Sequence, residues 1–211
     1  MEFKRARSDE QKDIRIRQIV TGAMSLYEKS PYDQITMAAI AETLSFTRAN
    51  LYKYFSTKEE IFLYAMIEEM QSWIEDVNGT FENIGYLEKK EFSKLWVKCL
   101  CRHEKFMLLY SISATIIEKN VSTDKLLEYN NISKNNEQII EGIIKKHVGE
   151  LSNKQLKLFV DYQYAYMVGM YPRTNQKGLS KDIIEEDENN FSVEQFETAF
   201  VKFLRVILKG M

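Results

Sequence analysis

The sequence predicts an all-α fold of roughly nine helices, and three observations support that prediction. Apolar residues recur three and four positions apart along most of the chain, as one face of a helix requires. No stretch shows the strict apolar–polar alternation of a half-buried strand. Hydrophobic residues make up 45% of the 211 residues and proline occupies only two positions, which favours a folded helical protein over a disordered one.

The first two helices are predicted from periodicity and from breaker and cap residues. Apolar residues repeat at helical spacing over about residues 9–29, until Pro31 interrupts the pattern. Thr36 is a favourable N-cap for a second helix, which is expected to run to about Thr43. The alanines of this short helix leave room for another helix to cross closely.

Two further N-terminal helices are predicted after a short turn. Thr47 is expected to cap a third helix over about residues 48–54. Ser56 or Thr57 is expected to cap a fourth, because each precedes a glutamate by three residues and so gives a capping-box signal. The fourth helix is expected to end near Val77.

Five more helices are predicted after a polar break. Their approximate bounds are 90–101, 103–119, 122–147, 152–171 and a last helix that begins at Ser192. The polar stretch 173–191 is interpreted as a loop. We expect two domains, an N-terminal domain over residues 1–58 and a helical C-terminal domain over residues 59–211.

Composition argues against membrane and secreted proteins. No apolar run approaches the roughly 20 residues that a membrane-spanning helix needs. The charged N-terminus lacks the apolar segment of a secretory signal. The two cysteines stand only two residues apart, which fits a reducing cytoplasm better than a disulfide framework. We therefore expect a cytoplasmic protein with no membrane partner.

An enzyme and a metal site are also disfavoured. The two histidines are far apart, and the sequence has neither a G-x-S-x-G motif nor a glycine-rich phosphate loop. Cys99, Cys101 and His103 have the spacing of a candidate metal or thiol site, but helical residues two apart point to different faces. We expect buried or idle thiols, no metal, no cofactor and no catalytic residue.

Residues 35–62 give the strongest functional signal. They predict a short helix, a tight turn over 44–46, a second short helix and the start of a long one. That order matches a helix-turn-helix, which places a helix in the major groove of DNA. The charge agrees, because residues 1–58 have a net charge of +3 and the rest of the chain −5.

This motif resembles that of the TetR family of bacterial transcriptional repressors. The resemblance covers roughly residues 12–64 and is most specific in two segments, TMAAIA from Thr36 and NLYKYFSTKEEIF from Asn50. It implies a three-helix DNA-binding domain, a helical effector-binding domain and a homodimer closed by the last two helices. Such a dimer binds a palindromic double-stranded DNA operator. The resemblance also implies that a small molecule bound among the central helices releases the DNA.

Candidate DNA contacts follow from side-chain chemistry and from the resemblance. The first turn of the third helix carries groups able to reach bases or phosphates. Helix N-termini attract anions, which favours contacts near the starts of the second and fourth helices. The candidates are Thr36, Thr47, Arg48, Asn50, Tyr52, Lys53, Tyr54 and Lys58. The basic N-terminal residues are either an arm for the minor groove or a solubilising end.

Three positions depart from the family's pattern. Ser45 and Phe46 stand in the turn where glycine and valine are usual, and Ala49 stands where glycine is frequent. Serine can adopt a left-handed turn at a cost of about 1 kcal/mol, so we expect the turn to persist. The bulkier Phe46 is expected to shift the third helix, the one that would enter the major groove, slightly.

The C-terminal domain is rich in aromatic residues and methionines, which together form adaptable apolar pockets. Apolar stripes at helical spacing more often pack in a hydrophobic core than line a ligand pocket. Each of these residues is therefore either a core residue or a ligand contact. The candidate ligand-binding residues are Trp96, Phe106, Tyr110, Ser113, Tyr162, Tyr166, Met167 and Met170. The expected effector is a small apolar or aromatic molecule.

The last helix has an apolar stripe that must find a partner surface in its own chain or in a second copy. With a face of the preceding helix it suits a four-helix bundle between two protomers. The candidate dimer-interface residues are Phe159, Gln163, Phe196, Phe200, Phe203 and Ile207. A helical interaction protein, or an activator without a small-molecule ligand, is the alternative to a ligand-responsive repressor.

Overall fold

The computed structural model describes residues 2–149, 151–174 and 191–211, with side chains from Glu10 onward in these ranges. The described residues form nine α-helices and no β-strand, so the predicted all-α fold is confirmed. In chain order the helices are α1 Glu2–Tyr27, α2 Met37–Thr43, α3 Arg48–Leu51, α4 Lys58–Phe81, α5 Lys89–Cys101, α6 Glu104–Ile112, α7 Thr123–Val148, α8 Asn153–Met170 and α9 Val193–Gly210.

Threonine caps fix the starts of α2 and α3. The hydroxyl oxygen of Thr36 accepts a hydrogen bond from the Ala39 N–H at 3.1 Å. That of Thr47 accepts from the Asn50 N–H at 3.2 Å. Each cap satisfies an N–H that the start of a helix leaves without an intrahelical partner. Both caps were predicted from the sequence, and both are confirmed.

A third cap starts α4, and Thr57 rather than Ser56 provides it. The Thr57 hydroxyl oxygen accepts from the Glu60 N–H at 3.2 Å, while the Glu60 carboxylate accepts from the Ser56 N–H at 2.8 Å. The helix continues to Phe81, beyond the predicted end near Val77, and the Phe81 side chain is 1% exposed. Burial of that ring explains the additional turn.

α3 is a single turn, shorter than the expected helix over about residues 48–54. Beyond Leu51 the chain forms a turn over 52–54, in which the N–H groups of Tyr54 and Phe55 both donate to the Leu51 carbonyl oxygen, at 3.0 and 3.2 Å. The Phe55 ring is buried in the core, which turns the chain toward α4. The first helix differs in the other direction, because α1 already begins at Glu2.

The helix predicted over residues 103–119 is divided. α6 ends at Ile112, a π-helical turn covers Ser113–Ile117, and a 3-10 turn covers Glu118–Asn120. The Thr57 hydroxyl lies 3.4 Å from the Asn120 carbonyl oxygen and donates to it. This irregular segment therefore contacts the first turn of α4.

α4 is the element that the N-terminal and C-terminal parts share. It packs against α1 at one end and against α5, α6 and α7 along the rest of its length. Its ten buried residues, from Ile61 to Phe81, are all apolar. One hydrophobic core therefore extends from α1–α3 through α4 into the helices from α5 onward. We call α4 and these later helices the body.

Two further findings concern the remaining segments. The loop predicted over residues 173–191 lies mostly outside the described residues, and its first two residues belong to a 3-10 turn, Tyr171–Thr174, that follows α8. Among the helices of the described ranges, none combines the length and the apolar content that crossing a membrane requires.

Candidate functional site

The turn between α2 and α3 is a Schellman motif. Ser45 has φ = 54°, the only positive φ among the non-glycine residues that the structure describes. The Phe46 N–H donates to the Ala41 carbonyl oxygen at 2.8 Å, and the Ser45 N–H donates to that of Glu42 at 3.0 Å. These bonds satisfy two carbonyl groups at the end of α2. Ser45 therefore adopts the left-handed conformation that was expected of it.

The first turn of α3 presents polar side chains at the surface. Thr47 and Arg48 are exposed and Asn50 is half-buried, while Leu51 is fully buried and holds the helix on the core. The Thr47 oxygen already accepts from the Asn50 N–H, but its own hydrogen is available for a phosphate oxygen. This surface thus carries donors suited to both bases and phosphates.

α1 adds basic groups beside α3 that the sequence interpretation did not select. Lys12 and Arg15 line one surface depression together with Lys53 and Tyr54. The Arg15 guanidinium also lies 5.3 Å from the ring centre of Phe46, which is half-buried in the turn. The sequence could have indicated both residues. Lys12 and Arg15 are three positions apart and are therefore neighbours on the polar face of α1.

The other predicted DNA contacts, from Tyr52 to Lys58, differ in their exposure. Tyr52 and Lys53 are exposed, and Tyr54 is half-buried. Lys58 is half-buried, and its ammonium group donates to the carbonyl oxygens of Tyr32 and Ile35 at 3.0 and 2.8 Å. These two bonds connect the loop before α2 to the start of α4, so Lys58 positions α2. A phosphate contact by Lys58 stays a prediction.

Three of the predicted ligand-binding residues lie together in the body. Trp96 and Phe106 are fully buried, and both contact Trp73, with ring centres 6.1 and 5.2 Å from it. The Tyr110 ring lies 5.5 Å from that of Phe106 and extends the cluster. The structure thus brings the candidate residues of α5 and α6 into one aromatic cluster.

The candidate residues of α8 are divided between faces. Tyr166 stacks on Phe200 and Phe203 of α9, with ring centres 4.7 and 4.4 Å apart. Tyr162 is 44% exposed, whereas Met167 is fully buried.

The last two candidate ligand residues also occupy different surroundings. Met170 is half-buried near the end of α8. Ser113 is buried in the π-helical turn, and its hydroxyl donates to the Tyr110 carbonyl oxygen at 3.0 Å. The Ser113 hydroxyl therefore satisfies its own segment. The ligand-binding roles of all these residues stay predictions.

Sequence reasoning missed Trp73 as a member of the aromatic cluster and placed Gln163 elsewhere. The Trp96 indole N–H donates to the side-chain oxygen of Gln163 at 2.7 Å, so Gln163 faces the cluster. The sequence could have indicated this role of Gln163, because it lies on the same helix face as Phe159 and Val160, both of which are buried. A polar side chain on such a buried stripe needs hydrogen-bond partners.

Tyrosines between α6, α7 and α8 stay protonated. Burial raises the pKa of Tyr129 to about 12, and it also raises the pKa values of Tyr110 and Tyr164. The Tyr110 and Tyr164 rings stack with centres 4.6 Å apart. At neutral pH these phenols are therefore uncharged hydrogen-bond donors.

The candidate dimer residues pack largely within their own chain. Phe159, Gln163, Phe196 and Phe200 are buried in the protomer, while Phe203 and Ile207 are half-buried. For Phe196 and Phe200, the partner surface is thus in the same chain. The faces that α8 and α9 leave exposed instead carry Tyr162, Ala165, Val168, Gly169, Lys202 and Val206.

The cysteines have the environment of unreactive thiols. Cys99 is buried, and the Arg102 guanidinium donates to its sulfur at 3.2 Å. Burial raises the pKa values of both thiols, that of Cys101 to about 12, so neither forms a thiolate at neutral pH. Within the described ranges, no group of three or more His, Cys, Asp and Glu side chains is placed to hold a metal ion.

Two family models match the sequence. The model described as bacterial regulatory proteins, tetR family, matches residues 19–65. The model described as tetracyclin repressor-like, C-terminal domain, matches residues 67–211. A search of curated proteins finds no match.

Solved structures share the fold over nearly the whole chain. The TetR family transcriptional regulator PfmR from Thermus thermophilus is 16% identical, with a TM-score of 0.60 over 92% of this chain and 98% of that one. FadR from Bacillus subtilis, in complex with stearoyl-CoA, is 16% identical, with a TM-score of 0.58 over 89% and 96%. FadR from Thermus thermophilus, in complex with lauroyl-CoA, is 14% identical, with a TM-score of 0.57 over 93% and 94%. At these identities the likeness establishes the shared fold.

Proposed function

Because this chain belongs to the TetR family of bacterial regulatory proteins, we propose that it is a ligand-responsive transcriptional repressor. It is a regulator and not an enzyme. In the proposal, two protomers bind a palindromic operator in the cytoplasm, and a small apolar or aromatic effector releases them. The observation that carries it is the exposed first turn of α3, held by the Schellman turn at Ser45 and flanked by Lys53.

The proposed DNA interface combines base contacts and phosphate contacts. In the proposal, Arg48 and Asn50 contact base edges in the major groove, and the exposure of Arg48 and the partial exposure of Asn50 in the first turn of α3 support this. Thr36 and Thr47 stand at helix N-termini, where free amides and a hydroxyl suit a phosphate. Phosphate contacts fix the register of a protein on the duplex, and base contacts select the sequence. We add Lys12 and Arg15 of α1 to the proposed phosphate contacts because they share a depression with Lys53.

The proposed dimer uses the exposed faces of α8 and α9. Ala165 and Gly169 leave the surface of α8 low enough for close approach of another helix, and Val168 and Val206 add apolar area. Two such helix pairs form a four-helix bundle about a two-fold axis. That symmetry carries over to the operator, whose half-sites then lie one helical turn or a multiple apart.

The effector is proposed to bind in the C-terminal domain, which we take to be residues 59–211. Two proteins of the same fold are described with bound acyl-CoA molecules, stearoyl-CoA and lauroyl-CoA. Those ligands have long apolar chains. The aromatic cluster around Trp96 and Phe106 supplies apolar surface of the same kind in this chain.

A mobility-shift assay on the region upstream of the protein's own gene tests the proposal. The full chain is expected to bind one double-stranded segment specifically, with an affinity that falls steeply as salt rises. Combining Arg48→Ala with Lys53→Ala should abolish specific binding, whereas Lys94→Ala with Lys125→Ala, at exposed positions of α5 and α7, should not. Absence of binding at low salt would overturn the repressor and favour an interaction protein that does not bind DNA.

A further inference from the structure

Three buried side-chain N–H groups find no acceptor among the described residues. One is the amide of Asn136 on α7, and the other two lie around Trp96. These two belong to the indole of Trp73 on α4 and the side-chain amide of Gln163 on α8. Trp73 is 0% exposed and Gln163 is 1% exposed. A buried donor without a partner is unfavourable and rare in folded proteins. Both donors therefore call for an acceptor beyond the described residues, which a bound molecule would supply.

The two donors flank the same residue, Trp96 on α5. The ring centres of Trp73 and Trp96 are 6.1 Å apart in an edge-to-face arrangement, and the Trp96 N–H donates to Gln163 Oε1 at 2.7 Å. This bond fixes the orientation of the Gln163 amide, because exchanging its oxygen and nitrogen would set two donors against each other. The amide Nε2 hydrogens are thus directed away from Trp96.

The surroundings select an uncharged group that only accepts hydrogen bonds. Trp73 stacks on Phe106 with ring centres 5.2 Å apart, and Trp96 stacks on Phe92 at 5.3 Å. Burying a carboxylate or phosphate among such rings without a cation is strongly unfavourable. Both unsatisfied groups are donors, so they call for an acceptor, whereas a hydroxyl would bring a hydrogen that needs an acceptor of its own. A carbonyl oxygen accepts two hydrogen bonds and carries no formal charge.

We propose that Trp73 and Gln163 bind the carbonyl oxygen of the effector, which is then an apolar molecule with a ketone, ester, amide or thioester group. This inference rests on the proposed effector-responsive function. The rings of Trp73, Trp96 and Phe106 contact the apolar part of the molecule, and the two N–H groups orient it. The site lies where α4, α5 and α8 meet.

The test follows the indole N–H signals of the full-length protein by two-dimensional ¹H–¹⁵N NMR. The sequence has two tryptophans, so Trp73→Phe assigns both signals. The probes are two pairs that differ in the carbonyl oxygen: lauroyl-CoA with S-dodecyl-CoA, and butyrophenone with butylbenzene. A carbonyl-bearing probe is expected to move the Trp73 proton downfield and to bind at least about tenfold more tightly than its partner, as one buried hydrogen bond implies.

Variants separate the donor from the ring that carries it. Trp73→Phe keeps an aromatic ring without the N–H, so the carbonyl preference of the binding probe should fall about tenfold. Tyr164→Phe, which removes a hydroxyl from the position after Gln163 on α8, is the matched control and should keep the preference. Equal affinity of both members of each pair, or no movement of the Trp73 signal with any probe, overturns the inference. A Trp73 proton that is already hydrogen-bonded in the free protein overturns it too.

A parallel operator-shift assay separates this failure from failure of the proposed function. In one outcome, the protein binds its operator specifically and a compound without a carbonyl group releases it. That result would support the repressor and overturn the carbonyl site. Absence of DNA binding would overturn the repressor, while a carbonyl-dependent shift of the Trp73 signal would still support a site at Trp73 and Gln163.

Discussion

Lys58 holds Tyr32 through both its ring and its backbone. The ammonium nitrogen lies 4.2 Å from the centre of the Tyr32 ring and 3.0 Å from the Tyr32 carbonyl oxygen. The Tyr32 hydroxyl in turn donates to the Glu59 carboxylate at 3.1 Å. Burial, together with that carboxylate, raises the pKa of Tyr32. The start of α4 therefore fixes the loop from which α2 begins.

Replacing Lys58 by methionine keeps the apolar stem and removes the charge. We expect the free energy of unfolding to fall by about 1–2 kcal/mol, because two carbonyl groups lose a charged donor. Operator affinity should fall as well, because α2 loses its fixed position. Thermal melts and binding measured over a salt series check both effects. Lys125→Met on α7 is the control, and a melt unchanged by Lys58→Met would contradict the positioning role.

Arg48 and Lys53 are predicted to contribute to DNA binding in different ways. Arg48→Ala should cost about 1–3 kcal/mol on the preferred operator and relax the choice of base at one position of each half-site. Lys53→Ala should weaken binding to all sequences alike and reduce the slope of log affinity against log salt by about 1. Binding to a set of single-base operator variants at several salt concentrations distinguishes the two. Identical profiles for both variants would refute the assignment.

Ser45→Gly is expected to stabilise the protein. The residue has φ = 54°, which costs a serine about 1 kcal/mol and costs a glycine nothing. The gain is reduced by the larger backbone entropy of glycine in the unfolded chain, so we expect a net change of about 0.5 kcal/mol. Denaturant unfolding measures it. Ser45→Ala is the control and should not stabilise, and a destabilised glycine variant would count against the strain.

Acid is predicted to loosen the contact between α4 and the turn after α5. Asp76 accepts hydrogen bonds from Arg102 at 3.0 and 2.8 Å and lies 3.1 Å from His103 Nε2. Burial raises the pKa of Asp76, but the bonds from Arg102 and His103 outweigh it, and the pKa is lowered overall. Its folded pKa is thus below the unfolded one. The stabilisation is present above about pH 4 and is lost as the pH falls through the lowered value.

Melting temperatures of the wild type and Asp76→Asn between neutral pH and pH 2 check this prediction. The variant should be less stable at neutral pH, and the two curves should converge in acid. A difference that persists unchanged at low pH would show that the carboxylate charge is not the cause. Asp124→Asn at the start of α7, an exposed acid, is the control.

Val168→Asp is predicted to split the proposed dimer. Val168 is 37% exposed on the face of α8 that also carries Ala165 and Gly169, and a charge there would be buried against the partner chain. Sedimentation velocity should show a monomer at concentrations at which the wild type is dimeric. Leu127→Asp, at a position on α7 that is 56% exposed, should leave the assembly intact. A dimer that tolerates Val168→Asp would place the interface elsewhere.

Short-range rules explain what could be predicted in the N-terminal part. The caps at Thr36 and Thr47 depend on residues three positions apart, and the turn at Ser45 depends on the six consecutive residues from Ala41 to Phe46. The end of α3 at Leu51 was not predictable in this way. It depends on burial of Phe55, whose ring lies 6.1 Å from that of Tyr64 on α4, and tertiary packing overrides helix propensity there.

Long-range pairing explains why the body was harder to predict. Gln163 meets Trp96 across 67 positions, and periodicity marks their stripes only as buried. The stripe of Phe196 and Phe200 posed the same difficulty, because an apolar face looks alike whether it packs on its own chain or on another. The structure buries both rings within the protomer. Periodicity could locate buried faces but could not pair them.

Trp73 and Trp96 are the only tryptophans in the sequence, and they touch each other. Near-ultraviolet light of a wavelength that tyrosine does not absorb is therefore absorbed only by this tryptophan pair, which lies deep in the body and away from α3. The emission colour of the unlabelled protein monitors the polarity of that interior alone. Stopped-flow recordings could time its response to a compound without any attached dye, independently of events on the DNA.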